Sequence, residues 1–254
     1  MPIGEIETHP YIQQGQISGA TKLILGSFPV YECTDPDNQQ KQQNRLAEGT
    51  VRFFYGSARS GLWGLYRDNI DNSIVLPPNP NLILQSLKQR QIAISDTIKK
   101  CERYIYKKNK KTGEIILYPF SSEDTALNVI EWNTSILTQL INNGITKIIC
   151  TSKGVLNDLE RQIICKGNNP LGHVDNQLSA NFQAQFVTEL GGDYSQIINS
   201  ISKVFRVGNS HVTALAIPSP SAPQRQLRTF GFNGLNWKCY SDKYFTNAFN
   251  WLNQ

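Results

Sequence analysis

The chain has 254 residues, a formal net charge of +5 and an apolar fraction of 39%. That length buries a full core in one domain, and no apolar run approaches the roughly 20 residues needed to cross a bilayer. The charge is mildly basic, which suits a polyanionic partner only if it clusters around a site.

The polar, acidic opening MPIGEIETHP reads as no signal peptide. Cys33, Cys101, Cys150, Cys165 and Cys239 are scattered without a CxxC pair, and His9, His173 and His211 lack metal-ligand spacing. Together they point to a reducing cytoplasm and away from a metal or cofactor.

Residues 1–20 read as an extended lead-in. TKLILGSFPV follows at 21–30, and its apolar run Leu23, Ile24, Leu25 predicts a strand at 21–26, buried on both faces. Gly26 ends the run, Ser27 presents a hydroxyl, and Pro29 stops a helix from starting at once. The Asn-, Gln- and Asp-rich residues 30–50 predict an exposed loop. From Gly61, Leu62, Leu65, Tyr66 and Ile70 recur at helical spacing, and Pro77, Pro78 and Pro80 then break the chain. A helix near 81–90 leads to a second strand at 91–96, and RYIYKKNKKTGEIILY at 103–118 predicts a hairpin around a Lys-rich turn.

A long amphipathic helix fits 126–142, with Gly144 as its cap. A third strand follows at 146–152, a helix near 153–164, and an irregular excursion with a short helix at 166–200. The fourth strand is HVTALAIPS at 211–219, and the last helix spans about 241–252. Strands alternating with helices predict a parallel sheet joined by right-handed crossovers and covered on both faces.

Sites in such sheets lie beyond the carboxyl ends of the strands. The segments there are 26–30, 94–97, 151–154 and 217–225, with 54–63 following the first strand. Phe54 and Tyr55 point to opposite sides of an extended chain, so one suits the core and the other a pocket. An ionised Asp96 only accepts hydrogen bonds, and a protonated one also donates; the alternative is a cap on a following helix. Pro218, Ser219, Pro220, Ser221, Ala222 and Pro223 form a stiff loop suited to phosphate contacts or to a plain structural turn.

GSFP after the first strand, FFYGSARSGLW, IAISDTI followed by Cys101, Glu102 and Arg103, and IPSPSAPQR resemble, in this order, the motifs of the uracil-DNA glycosylase superfamily. The resemblance is strongest to its mismatch-specific and hypoxanthine-DNA glycosylase-like branches, and it covers most of the core. The stretches 103–118 and 166–200 look like additions. It implies a single three-layer α/β/α sandwich domain with a central four-stranded parallel sheet. It also implies a monomeric, monofunctional DNA glycosylase of base excision repair. Such an enzyme flips uracil or hypoxanthine out of DNA and hydrolyses its N-glycosidic bond without a cofactor.

By the same resemblance, Ser27 and Ser60 stand where water is positioned, Tyr55 stacks on the base, Asp96 reads its edge and Phe28 stands beside it. Ser152, Lys153, Ser219, Ser221 and Arg225 meet the DNA, and Arg225 or Leu227 fills the gap left by the flipped base. Asp96 replaces the family's usual Asn. Ser60 replaces the hypoxanthine branch's Asn, and Ile217 replaces the His of many members. Two other classes stay open: a catalytically weak nucleic-acid-binding relative, and a small-ligand-binding α/β protein.

Overall fold

A computed structural model describes residues 6–34, 49–103, 105–108, 111–118, 127–164, 171–190, 201–221, 223 and 237–254. The chain opens with β1 (Ile6–Thr8), and β2 (Lys22–Gly26) carries the first apolar run. A single helical turn, α1 (Tyr31–Thr34), precedes α2 (Leu62–Asn69) and α3 (Pro80–Gln89). Asn79 sets the start of α3, because its side chain accepts from the N–H groups of Asn81 and Leu82 while Pro80 takes the first helical position.

Next come β3 (Ile92–Asp96), β4 (Ile98–Arg103), β5 (Ile105–Lys108), β6 (Ile115–Tyr118) and β7 (Leu127–Trp132). They lead to α4 (Thr134–Asn142), β8 (Lys147–Cys150) and α5 (Lys153–Asp158), which runs on into a π-helical stretch at Leu159–Ile164. The described chain closes with β9 (His173–Val174), α6 (Asn176–Leu190), β10 (Ser202–Val207), β11 (Ser210–Ala216) and α7 (Trp237–Asn253).

The main sheet has the order β3-β2-β8-β11-β10-β9. β2 pairs in parallel with β3 and β8, and β8 pairs in parallel with β11. All four expected strands therefore form the parallel centre. Each residue of β3 is buried, as are all but the first of β2 and β8, so both faces are covered. At the opposite end, Lys22 and Lys147 each donate from Nζ to a carbonyl in the last turn of α7, Asn253 and Trp251, both at 3.0 Å. Cations there complement the negative end of the helix.

Two expectations are corrected. The sheet has six strands, not four, because β10 and β9 extend it in antiparallel fashion. Gly208, at φ 58°, opens the two-residue turn that folds β10 onto β11. The second correction concerns 126–142, which is not one helix. Leu127–Trp132 is β7, and only Thr134–Asn142 is helical. Exposure alternates along Leu127–Ile130, the signature of a half-buried strand. Asn133 ends the strand: its backbone N–H donates to Thr97 O at 2.9 Å, and its Nδ2 donates to Ser95 Oγ at 3.0 Å and Asp96 O at 2.9 Å.

β7 pairs antiparallel with β4, and β4 pairs antiparallel with β1, in a separate three-stranded sheet. The N-terminal lead-in thus contributes a strand. The hairpin expected at 103–118 is present as the β5–β6 pair. The helix in 166–200 is long rather than short, at 15 residues.

Arg103 ties the small sheet to the main one. It is buried to 2% exposure, donates from Nε to Glu7 Oε1 at 2.8 Å and from Nη2 to Pro29 O at 2.7 Å, and lies over the Phe28 ring at 5.5 Å. β1, β4 and the loop after β2 thus meet on one guanidinium. Removing one partner of such a pair leaves an uncompensated buried charge. Arg103→Ala should therefore cost about 3–5 kcal/mol in urea unfolding. Arg103→Lys, which keeps the charge but loses the planar fork, should recover only part of that loss.

Candidate functional site

In the sheet order β3-β2-β8-β11, the chain goes on from β2 to β3 on one side and from β8 to β9, β10 and β11 on the other, so the connections after the adjacent strands β2 and β8 diverge. A crevice opens beyond the carboxyl ends of strands at such a switch point. There the structure has a cavity of about 220 Å³, lined by Ser27, Ile98, Leu127, Val129, Trp132, Ser152, Gly154, Val155 and Asp158. Ser27 follows β2, and Ser152 follows β8. The small sheet forms the apolar wall through Ile98 on β4 and Leu127, Val129 and Trp132 on β7.

Ser152 is the N-cap of α5, with its Oγ accepting from Val155 N–H at 3.2 Å. Gly154 and Asp158 lie one helical turn apart, hence on one face of α5. Among the described residues, Asp158 is the ionisable side chain in this lining. Beneath them, burial first and the Asp158 carboxylate second push the Cys150 thiol well above its usual range, so it is no nucleophile.

Successive side chains at a strand end point to opposite sides. Ser27 and Ser152 face the cavity, and their predecessors Gly26 and Thr151 face a second, buried cluster. A β carbon on Gly26 would sit 1.8 Å from Tyr55 Oη and 2.1 Å from Asp96 Oδ1. Both oxygens therefore occupy the space that glycine leaves open. Tyr55 Oη is also hydrogen-bonded to Thr151 Oγ1 at 2.7 Å, which spans the ends of β2 and β8. Tyr55 holds this place with φ 52°, in the left-handed region that non-glycine residues rarely occupy.

Asp96 is 2% exposed and does not cap a helix, because β4 follows it. Its Oδ2 lies 2.7 Å from His9 Nε2. His9 Nδ1 accepts from Tyr11 N–H at 3.0 Å, so the ring proton is on Nε2 and is donated to Asp96. Both imidazole nitrogens are thereby engaged. Asp96 Oδ1 has no hydrogen-bond partner among the described residues.

The expected site residues thus separate. Ser27 and Ser152 come together in the cavity, while Tyr55 and Asp96 come together behind it. Phe28 packs with Ile98 and Cys101 under Arg103, its ring 5.3 Å from that of His9. Ser60 Oγ accepts from Leu62 N–H at 3.4 Å at the start of α2. Gly61, at φ 72°, brings that start against the Pro-rich loop, with its missing β carbon 2.7 Å from Pro220 O. On this loop Ser219 and Ser221 share a hydrogen bond of 2.9 Å. Lys153 begins α5 beside Ser152. Arg225 and Leu227 lie outside the described residues.

Sequence reasoning missed Trp132, Asp158 and His9. Trp132 was assigned to a helix, Asp158 carries no motif, and His9 meets Asp96 across 87 positions of sequence. Among the described residues no group of three or more His, Cys, Asp or Glu could hold a metal ion, and no helix is long and apolar enough to cross a membrane. No protein-family model, curated protein or solved structure matches the chain.

The buried cluster makes two expectations. Gly26→Ala should drive a methyl group into Tyr55 and Asp96 and lower unfolding stability by about 1–3 kcal/mol, measured in urea. His9→Ala leaves the buried Asp96 carboxylate unpaired, whereas Asp96→Asn still accepts from His9 and carries no charge that needs a partner. In the same assay His9→Ala should cost about 2 kcal/mol or more, and Asp96→Asn clearly less.

Proposed function

We propose that this chain is a DNA glycosylase that draws one deaminated base, uracil or hypoxanthine, into the cavity and hydrolyses its N-glycosidic bond. The observation that carries the proposal is the cavity's place and make-up. It lies at the switch point between β2 and β8 and joins hydroxyls with an indole wall. At about 220 Å³ it is smaller than the roughly 300–1,000 Å³ of sites for drug-sized ligands, a size suited to a single ring rather than a whole nucleotide.

Each residue then has a task. Trp132 offers the stacking face, which for a base is worth about 1–3 kcal/mol. Ser27 and Ser152 present hydroxyls to the base edge. Tyr55, Asp96 and His9 brace the strand ends from behind. On this reading Ser60, Lys153, Ser219 and Ser221 take the DNA backbone, together with Arg225 and Leu227. The domain is a single α/β/α sandwich of the uracil-DNA glycosylase type, working as a monomer and without a cofactor.

One observation favours a second reading, a binding relative that does not cleave. Phe28 and Ile217, at motif places where family members carry polar groups, are both buried apolar residues. Single-turnover assays on oligonucleotides carrying uracil, hypoxanthine or xanthine, followed by alkali, separate the two. Alkali-labile breaks with wild type and a loss of base-dependent binding with Trp132→Ala are the expected results. Base-dependent binding without breaks supports the second reading, and neither binding nor breaks removes both.

A further inference from the structure

The hydrolysis needs a group that takes a proton from water, and neither serine in the cavity does this well unaided. The segment after β2 supplies Ser27 and the buried Phe28, not a carboxylate. The cavity nevertheless contains one, from a different element. Asp158 stands at the end of α5 and lines the cavity together with the apolar Ile98, Leu127, Val129 and Trp132. Gly154 lies one turn earlier on the same helix face and also lines the cavity.

Directly after Asp158 the helix widens into a π-helical stretch, Leu159–Ile164. Such stretches are rare, and they recur at functional sites. An apolar wall lowers the local dielectric, so a carboxylate there acts more strongly on a nearby dipole or charge than it would in water.

We propose that Asp158 is the catalytic carboxylate of this site, a role that rests on the glycosylase reading above. The C1′–N bond breaks with its electron pair leaving on the base, and positive charge develops on the sugar. The ionised Asp158 stabilises that charge and accepts a proton from the attacking water as its oxygen bonds to C1′. The new hydroxyl stays on the sugar. The base anion takes up a proton, and the carboxylate returns to its starting state. Ser27 and Ser152, as neutral donors, face the leaving base, which a carboxylate would repel.

The test compares wild type, Asp158→Asn and Asp158→Ala by single-turnover cleavage, oligonucleotide binding by fluorescence anisotropy, and thermal unfolding. Both variants should still fold and bind the oligonucleotides and should cleave about 10²–10⁴-fold more slowly, the range for loss of a general base. Added formate should restore part of the cleavage by Asp158→Ala. A folded variant of either kind that cleaves as fast as wild type overturns the role of Asp158 and leaves the glycosylase reading standing. Loss of binding in step with cleavage also overturns it, because the residue is then structural. If wild type cleaves none of the three substrates, the glycosylase reading fails, and the assignment falls with it.

Discussion

The parallel pairing of β2 with both β3 and β8 is the constraint from which the site follows. It aligns Gly26 with Asp96 and Leu25 with Cys150, so that three strand ends finish at one level. The loops are then sewn down by backbone bonds: Thr97 N–H to Gly26 O at 2.8 Å, Ile98 N–H to Ser27 O at 3.1 Å and Thr151 N–H to Leu25 O at 2.9 Å. With the backbone fixed, alternation decides the rest. At the ends of β2 and β8, one residue (Gly26, Thr151) turns toward the buried cluster, and the next (Ser27, Ser152) turns toward the cavity. A shift of one residue in either ladder would exchange the two sets.

The buried polar pairs act as locators more than as sources of stability. Taking charges out of water costs several kcal/mol per ion, which their attraction repays only with good geometry and further hydrogen bonds. Arg103 has both, through Glu7, Pro29 O and the Phe28 face. Glu7 in turn accepts from Thr34 Oγ1 at 2.6 Å. His9 follows β1 by one residue and binds Asp96 at the end of β3. The first strand is therefore fastened twice, at Glu7 and at His9. It holds β4 in place, and through β4 it holds β7, whose residues make the cavity wall. The site depends in this way on a segment that contributes no lining residue.

The central strands were legible because parallel strands buried on both faces read as continuous apolar runs. Leu23–Leu25, Ile92–Ile94 and Ile148–Cys150 are of this kind. The half-buried strands were not legible. LNVIEW offers Leu127 and Ile130 at a spacing of three, which fits a helix as well as it fits an irregular alternation. Only pairing with β4 decides between them, and β4 itself reads as the polar KKCER. β10, SKVFRV, needed the Gly208 turn to be recognised as half of a hairpin. His9 could not be paired with Asp96 from sequence, because nothing local marks a contact across 87 residues. Ser27 and Ser152 were found because they directly follow strands whose ends the sequence did locate.

On the proposed glycosylase reading, the same geometry lets a carboxylate and a polyanionic partner share one site. A negative group on the rim would repel backbone phosphates, and at separations beyond about 8–10 Å salt screens that repulsion. Asp158 stands one turn deeper along α5 than Gly154, with Lys153 at the start of the helix. Cation and carboxylate are thus separated along one short helix, Lys153 at its start and Asp158 at its end. The proposed reaction, which needs phosphates gripped outside and a developing cation stabilised inside, calls for that polarity. A helix that starts at the switch point and runs back from it is a direct way to build it.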